Sequence, residues 1–600
     1  MKRLLLSLAC TLASAYMWAQ VPYGYAPNDV SANEISALGG NKNEFVQGVV
    51  LFDPATDPVW ARMKGKQVLG VRCYVRADYK QARQKRSGIL ACIGNPANIV
   101  QTTYADLTEG WNDVLFAEPL TIGDERLYLG VQTYETIGTP YPLVAYAAAT
   151  VPQSCIINLG KKAWEEFTDR GTLLIAALVQ DDAAGMFEHA VYAQNTTHPQ
   201  TVAPDADFQG GLYIHYFGTT PLTDIVVAMQ GEGAVQPTLR AISLPTPVPA
   251  YGSTVVSTLL RSGTAEGTNV SWTATVTQAN GVDTQPARPG TTSLFVTKDN
   301  FIRTPLIEEF TSQRCVNCPQ MAYFLEKALE QYGKPYVYVA HHSGFAEDVF
   351  TTAPDREVVY VFGGYANEYN PAIMYNRTVF EGENTIVFGI RDMSPTPYLD
   401  ALALAADMPA KAEVQLEHDD ATVTVSGRVA RDLVGTPLYL SCYLVEDGIG
   451  TAQYPQLGMD DDDAPADLKE VFRHNGVILH HFNTNAIGDP LATNADGSYS
   501  VSYPLAKPNG YGGTAQRLVA FVHQVNKDNL RANEVLNATQ EYLTGAPNAI
   551  RDIQSAQPAQ HHTDAIYDMS GRRIRQSAAS IRQAPLHKGI YIAGGRKVVR

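Results

Sequence analysis

The sequence predicts a multidomain, mostly β protein that is built from sandwiches and contains one α/β domain. Its 600 residues correspond to about four domains at the usual size of roughly 100–200 residues each. Hydrophobic residues make up 45% of the chain and charged residues 18%, which is typical of folded proteins. Aromatic and β-branched runs recur between turns rich in glycine and proline, and this pattern indicates β-strands.

Residues 1–20 have the pattern of a secretory signal peptide. Lys2 and Arg3 precede an apolar run that ends in small residues near Ala19. No later run reaches the roughly 18 apolar residues of a membrane-spanning helix. We therefore expect an exported protein, either at the cell surface and outer membrane or secreted. The net charge of −16 disfavours nucleic acid as a partner.

Residues 21–218 contain repeated strand candidates and are predicted to form a β-sandwich. Within them, GWNDVLFAEPLTIGDERLYLGVQT resembles the jelly-roll modules of secreted bacterial adhesins and proteases. This resemblance implies a jelly-roll-like sandwich with a carbohydrate or protein ligand. Cys73 and Cys92 flank a predicted hairpin loop, and both a disulfide bridge and two buried thiols fit the sequence there.

Two further segments alternate apolar and polar residues. Residues 219–302, which include NVSWTATVTQ, are predicted to form a small immunoglobulin-like sandwich that acts as a spacer. Residues 403–545 are predicted to form another sandwich, followed by a linker at residues 546–562.

Residues 303–402 have a different pattern. The strand RTPLIEEFTS, the helix CPQMAYFLEKALEQYG and the strand PYVYVAHHS form a βαβ unit, which predicts an α/β domain. The glycine at the end of the helix, Gly333, is in the usual position for a helix stop.

The stretch RCVNCPQM, residues 314–321, places Cys315 and Cys318 where the first strand turns into the helix. The positive end of the helix dipole and the charge of Arg314 both favour a thiolate at Cys315. The pair therefore suits thiol–disulfide exchange, although a structural disulfide has the same pattern. Zinc would need two more ligands, for which His341 and His342 are the nearest candidates.

The segment PLIEEFTSQRCVNCPQMAYFLEKALEQYG, with YNPAIMYNRT after it, resembles a thioredoxin-like domain. More narrowly, it is similar to the outer-membrane-protein family of thioredoxin-like proteins in Gram-negative bacteria that use type IX secretion. The likeness continues through YLVEDGI, FRHNGVIL and RLVAFVHQVNKDNLRANEVLNA, and so covers roughly residues 303–545.

This resemblance implies a role for four residues. Cys315 matches the nucleophilic cysteine and Cys318 the resolving one, and the pair is the only redox group implied, with no further cofactor. Pro371 matches the cis-proline that packs against the pair. Glu309 matches the buried acid that accepts the resolving thiol's proton, although an exposed strand glutamate also fits the sequence. The Val-Asn dipeptide between the cysteines departs from the Gly-Pro of thioredoxin.

Two charged stretches remain. MDDDDAPAD, residues 459–467, can be read as a calcium loop at Asp460–Asp463 or as a solvated acidic loop. Residues 563–600 contain YDMSGRR and KGIYI and resemble the type A C-terminal sorting domain of type IX secretion. That resemblance implies the type IX machinery as a partner and delivery across the outer membrane.

The sequence therefore leads to two hypotheses. In the first, an exported thioredoxin-like protein exchanges disulfides with thiol or disulfide proteins. In the second, a surface adhesin or ligand-binding protein carries the thioredoxin-like domain as a non-catalytic module. The strand–CxxC–helix context favours the first hypothesis, and the jelly-roll and immunoglobulin-like segments favour the second.

Overall fold

The computed structural model describes residues 20–544 with short gaps, together with four strands beyond residue 565. The gaps are residues 27–34, 39–43, 77–86, 136–143, 148–150, 161–162, 168–170, 285–287, 345, 364–369, 381–384, 390–393, 462–463 and 527–528. Almost all of the predicted signal peptide and the whole predicted linker lie outside the described residues. Within the described part, no helix is long and apolar enough to cross a membrane.

The prediction of a mostly β, multidomain fold is confirmed, because antiparallel sheets dominate the chain and helices are few. The N-terminal unit consists of β1 (Gln20–Gly24), β2 (Ile35–Leu38), β3 (Glu44–Phe52), α1 (Pro58–Arg62), β4 (Gln67–Val75), β5 (Gly88–Ile93), β6 (Ile99–Tyr104), β7 (Gly110–Thr121), β8 (Leu127–Glu135), β9 (Val144–Ala147), β10 (Ile156–Leu159), β11 (Glu165–Glu166), β12 (Thr172–Leu173) and β13 (Ile175–Gln180).

These strands form two main sheets with interleaved connections. One sheet has the order β1-β13-β4-β7, and the other has the order β11-β10-β3-β8-β5-β6. Several connections thus cross from one sheet to the other, as they do in a jelly roll, whereas β5–β6 and β10–β11 are hairpins within one sheet. The apolar faces enclose a core around Phe52 and Trp60, both fully buried. A small third sheet, β12-β9-β2, lies beside them.

Cys73 and Cys92 are free buried thiols, so the disulfide alternative is wrong. Cys73 packs in the core between the sheets, whereas Cys92 packs with Leu90 and Tyr128 in a separate cluster. Burial raises the pKa of both thiols to about 12, which makes them unreactive.

The second unit is a sandwich around the fully buried Trp272. Its strands are β14 (Val191–Thr197), β15 (Asp207–Tyr216), β16 (Leu222–Gly231), β17 (Thr238–Val248), β18 (Ser253–Arg261), β19 (Gly267–Ala279), β20 (Val282–Asp283) and β21 (Gly290–Val296). One sheet has the order β14-β15-β18, and the other has the order β17-β16-β19-β20 with β21 also paired to β19. This sandwich begins before residue 219, because β14 and β15 pair with β18 and not with the jelly roll.

The third unit contains the predicted α/β segment and the sandwich after it. Its elements are β22 (Leu306–Thr311), α2 (Cys318–Tyr332), β23 (Val337–His342), α3 (Ala353–Gly363), β24 (Ala372–Tyr375), β25 (Phe388–Gly389), α4 (Thr396–Asp407), β26 (Ala412–His418), β27 (Thr422–Val429), β28 (Tyr439–Asp447), α5 (Leu468–Val471), β29 (Val477–His481), β30 (Asp489–Pro490), β31 (Ser498–Pro504), β32 (Ala515–His523) and β33 (Val535–Thr544).

One sheet runs through both halves of this unit, in the order β25-β24-β22-β23-β29-β28-β32-β33. β22 and β23 are parallel, as the predicted βαβ unit requires. β23 then pairs with β29 through Ala340 and Val477. The α/β half and the sandwich half therefore share backbone hydrogen bonding. A second sheet, β26-β27-β31, covers the sandwich half.

The C-terminal segment also contains strands: β34 (Ile566–Asp568), β35 (Arg573–Arg575), β36 (Ile590–Ala593) and β37 (Arg596–Val599). They form one antiparallel sheet with the order β35-β34-β36-β37. The backbone of this segment therefore forms a β-sheet, as the sequence predicted.

The shared sheet leads to an expectation about fragments. Residues 303–402 alone would leave the edge of β23 unpaired and expose Val337 and Val339, which pack against Tyr443 and Phe521 of the sandwich half. We expect this fragment to lack a cooperative thermal transition in circular dichroism. A fragment of residues 297–544 should unfold cooperatively. Cooperative unfolding of the shorter fragment with native helix content would contradict this expectation.

Candidate functional site

The cysteine pair lies at the junction of β22 and α2. The whole of β22 is buried, and the chain leaves it through a short loop that ends at Asn317, the N-cap of α2. Cys318 is the first residue of the helix, and Pro319 follows it in the first turn, where its missing N–H is tolerated. The helix ends at Gly333, which has a left-handed φ of 61°. The sequence predicted this helix correctly.

Cys315 and Cys318 form a disulfide, with their Cα atoms 5.4 Å apart. The N–H of Cys315 donates to the carbonyl of Ser312 at 3.0 Å, which closes the loop ahead of the helix. Both cysteines are only 1% exposed. The pair is therefore oxidised and shielded from solvent in this conformation.

Pro371 follows a cis peptide bond from Asn370, as the resemblance implied. β24 begins directly after it, and Ala372 lies opposite Phe310 in antiparallel β22. This register places Pro371 beside the end of β22 from which the cysteine loop leaves. The Asn370 side chain donates to the carbonyl of Ser343 at 2.5 Å.

Glu309 is buried, with only 1% of its surface exposed, so the alternative of an exposed strand glutamate is wrong. It lies on the same face of β22 as Ile307, which packs against Met321 of α2. The carboxyl group therefore faces the helix that carries the cysteines. The Tyr338 hydroxyl donates to Glu309 Oε2 at 2.5 Å. Burial raises the pKa of Glu309 to about 7, against the smaller lowering effect of this bond.

The preceding residue, Glu308, points to the opposite face of β22 and has a different environment. The guanidinium of Arg377 donates to both of its carboxylate oxygens, at 2.7 and 2.8 Å. Both residues are fully buried. Burial alone would raise the pKa of Glu308, but Arg377 and His341 bring it down to about 2. Glu308 is therefore charged over the whole physiological range.

His341 connects the buried pair of Glu308 and Arg377 to α3. Its ring contacts Glu308 Oε1 at 3.2 Å and Asp355 Oδ1 at 2.9 Å. Burial disfavours the charged ring, but the hydrogen bonds to these two carboxylates raise the pKa of His341 to about 8. His481 of β29 contacts the same Asp355 oxygen at 3.2 Å, so the network also reaches the sandwich half.

Arg377 makes a second link to the sandwich half through His523 of β32. Its Nη1 lies 3.1 Å from His523 Nδ1, and His523 Nε2 lies 3.0 Å from the Ser441 hydroxyl. Burial lowers the pKa of His523 well below the ordinary value, and the neighbouring guanidinium adds to this effect. His523 is therefore neutral and can accept the guanidinium N–H.

The two histidines considered as zinc ligands contact carboxylates on separate sides of β23. His341 contacts Glu308 and Asp355, whereas His342 Nδ1 lies 2.9 Å from Asp348. Within the described residues, no group of three or more acidic, histidine or cysteine side chains has a metal-binding arrangement. Of the acidic stretch, Asp460 forms an ion pair with Lys469, and residues 462–463 lie outside the described residues.

A distant segment completes the surroundings of the cysteines. The Gln456 side-chain amide donates to the carbonyl of Cys315 at 2.9 Å and to that of Ser312 at 3.1 Å. Gln456 lies 141 residues from Cys315 along the chain. Sequence reasoning missed this residue, as it missed Glu308 and Arg377. Arg377 belongs to the YNPAIMYNRT motif, which was the only available signal.

Comparison with known proteins gives no family assignment. No family model and no curated protein matches the chain. Among solved structures, HBP35 of Porphyromonas gingivalis is 22% identical with a TM-score of 0.34, covering 50% of this chain and 100% of its own. A protein from Agrobacterium tumefaciens is 11% identical with a TM-score of 0.27, covering 43% and 100%. A putative β-galactosidase from Bacteroides fragilis is 9% identical with a TM-score of 0.19, covering 87% and 93%.

The environment of Glu309 leads to an expected pH dependence. Its folded-state pKa of about 7 lies above the ordinary 4.5, so the protonated carboxyl stabilises the fold below pH 4.5 and this contribution is lost as the pH rises to about 7. Glu309→Gln has no carboxyl group to ionise, so its stability should not fall over this pH range on account of residue 309. Above pH 7 its free energy of unfolding should exceed that of wild type by roughly 1–3 kcal/mol. Calorimetric unfolding across this range measures the effect.

The matched control is Glu357→Gln, which changes an exposed glutamate on α3. Its unfolding should follow the wild-type pH dependence. A Glu309→Gln variant that loses stability with rising pH as steeply as wild type would show that Glu309 does not titrate in this range.

Proposed function

We propose that this chain is an exported thioredoxin-like protein whose Cys315–Cys318 pair exchanges disulfides with protein clients. The observation that carries the proposal is the pairing of the two cysteines at a strand–helix junction, where the buried Glu309 lies on the strand face that packs against the helix. A cis-proline beside the same loop supports the thioredoxin-like assignment. The resemblance of PLIEEFTSQRCVNCPQM and YNPAIMYNRT to that family supports it from the sequence.

The exchange needs no cofactor beyond the pair. In the dithiol form, the Cys315 thiolate attacks a client disulfide, and one client sulfur leaves as a thiolate that takes up a proton. The Cys318 thiolate then attacks Cys315 Sγ in the mixed disulfide and releases the second client sulfur, which is also protonated. The client gains two electrons and two protons, and the protein pair returns to the disulfide.

Glu309 would hold the proton that this cycle moves. A general base acts best when its pKa is near the working pH, and burial brings the pKa of Glu309 to about 7. As a carboxylate it would accept the proton of the Cys318 thiol when that thiol resolves the mixed disulfide. Tyr338, which donates to the same carboxyl group, would hold it in place.

We also propose that residues 563–600 act as a type IX sorting domain. The support is the resemblance of YDMSGRR and KGIYI, together with strands β34 to β37 in the same segment. The signal peptide at residues 1–20 would deliver the chain to the periplasm. The sorting domain would then engage the type IX machinery and direct the protein to the surface or the medium.

A second candidate function is a surface binding protein in which the thioredoxin-like half is inert. The 1% exposure of both cysteines favours this candidate, because thiol exchange needs access to a sulfur. The jelly roll would then carry the main activity by binding a carbohydrate or a protein.

Trapping distinguishes the two candidates. We expect Cys318→Ser in the full chain to accumulate mixed disulfides with periplasmic or surface proteins, because the resolving thiol is gone. Cys315→Ser should accumulate few or none. Non-reducing gels followed by mass spectrometry measure the trapped species. If neither variant traps a partner, the binding-protein candidate is favoured.

Deletion tests the sorting proposal. A chain that ends at residue 564 lacks all four C-terminal strands but keeps residues 20–544. We expect it to remain in the periplasm, whereas the full chain reaches the surface or the medium. Fractionation and surface protease digestion measure the location. Normal surface delivery of the shortened chain would refute the sorting role.

A further inference from the structure

A short segment of the sandwich half lies against the cysteine loop. It comprises residues 454–458 and belongs to the connection between β28 and α5; we refer to it as the cover segment. Hydrogen bonds join it to the cysteine loop in both directions. Leu457 N–H donates to the carbonyl of Gln313 at 2.9 Å, and the Gln313 side chain donates to the carbonyl of Pro455 at 3.1 Å.

Gln456 is the central residue of this contact. It is only 8% exposed, and its amide donates to the carbonyls of Ser312 and Cys315. These carbonyls belong to the loop that leads into the disulfide, and not to a regular strand or helix. The bonds therefore hold the loop itself in position.

Gly458 brings the cover segment into close contact with Val316, one of the two residues between the cysteines. Its φ is 80°, in the left-handed region that favours glycine. A Cβ atom at this position would collide with the carbonyl of Val316. The backbone of the cover segment is thus packed directly on the loop that carries the disulfide.

The other end of the cover segment is anchored away from the cysteines. The Tyr454 ring packs against Phe350 and Tyr511, with ring centroids 5.3 and 5.4 Å away. His474 Nε2 lies 2.8 Å from the Tyr454 carbonyl. The contacts of Tyr454 are therefore separate from those that hold residues 456–458 against the cysteine loop.

We propose that the cover segment must move away before the Cys315–Cys318 disulfide can react, and that Gln456 is the positioning residue that holds it closed. The inference rests on the proposed thiol–disulfide exchange. An attacking thiolate must reach a sulfur atom, and both cysteines are 1% exposed while the segment is in place. The observed rate of reduction is then the rate in the open form multiplied by the open fraction.

The test uses the full chain and dithiothreitol, a small dithiol that gives two electrons and two protons to the disulfide and closes into a cyclic disulfide. Gln456→Glu keeps the size of the side chain but removes both N–H donors and places a carboxylate against carbonyl oxygens. We expect it to accelerate reduction of Cys315–Cys318 by about tenfold, the effect of losing two hydrogen bonds that favour closure. Alkylation of the new thiols followed by mass spectrometry gives the rate.

The matched control is Gln331→Glu, the same change at an exposed position near the end of α2 and outside the cover segment. It should be reduced at the wild-type rate. Gly458→Ala should also accelerate reduction, because the added methyl group forces the cover segment away from Val316. Equal rates for wild type, Gln456→Glu and Gly458→Ala would overturn the proposal.

The buried thiol of Cys442, in the same unit, distinguishes opening of the cover from unfolding. It should stay unmodified while Cys315 and Cys318 become alkylated. Alkylation of Cys442 at the same rate, or a lower melting temperature without faster reduction, would assign Gln456 a purely structural role and overturn the proposal. Gln456→Glu could be reduced faster while Cys318→Ser traps no client. That result would support the role of the cover segment in shielding the disulfide and refute the proposed exchange with clients.

Discussion

The buried ion pair between Glu308 and Arg377 is the interaction on which the cysteine site depends. Removing one partner of a buried pair leaves an uncompensated charge, at a cost of about 3–5 kcal/mol. Arg377 also contacts His523 of β32, while His341, the other partner of Glu308, shares Asp355 with His481 of β29. The pair thus joins the α/β half, which carries the disulfide, to the sandwich half, which carries the cover segment.

Two adjacent glutamates in β22 have different pKa values because strand geometry places them in different environments. Glu308 faces Arg377 and keeps its charge, whereas Glu309 faces the helix side and has the Tyr338 hydroxyl as its partner. Alternation of side chains along a strand produces this difference from identical residue types. At neutral pH the Glu308 carboxyl group is a fixed charge and the Glu309 carboxyl group is near its titration midpoint, which is what the proposed proton transfer would require of Glu309.

Local features of this site were predictable from the sequence, and distant ones were not. The helix from Cys318 could be predicted because its apolar spacing and Gly333 are local signals. The sequence could not show whether Glu309 is buried, because β22 is buried on both faces and its residues do not alternate between apolar and polar. Gln456 lies 141 residues from Cys315, and no periodic pattern connects them. The immunoglobulin-like sandwich began earlier than predicted because pairing of β14 and β15 with β18 depends on register, which strand propensity does not encode.

A cover on a redox pair acts on kinetics and equilibrium separately. If the segment binds the disulfide and the dithiol equally well, it slows both directions of exchange and leaves the reduction potential unchanged. Its contacts favour this case, because Gln456 binds the carbonyls of Ser312 and Cys315 and not the sulfurs. If the chain is exported as proposed, the oxidising milieu outside the cytoplasm would keep the pair as a disulfide. The loop and the buried carboxyl group would then set the reduction potential. The cover segment would determine which clients react, because only a partner that displaces residues 454–458 could reach the disulfide.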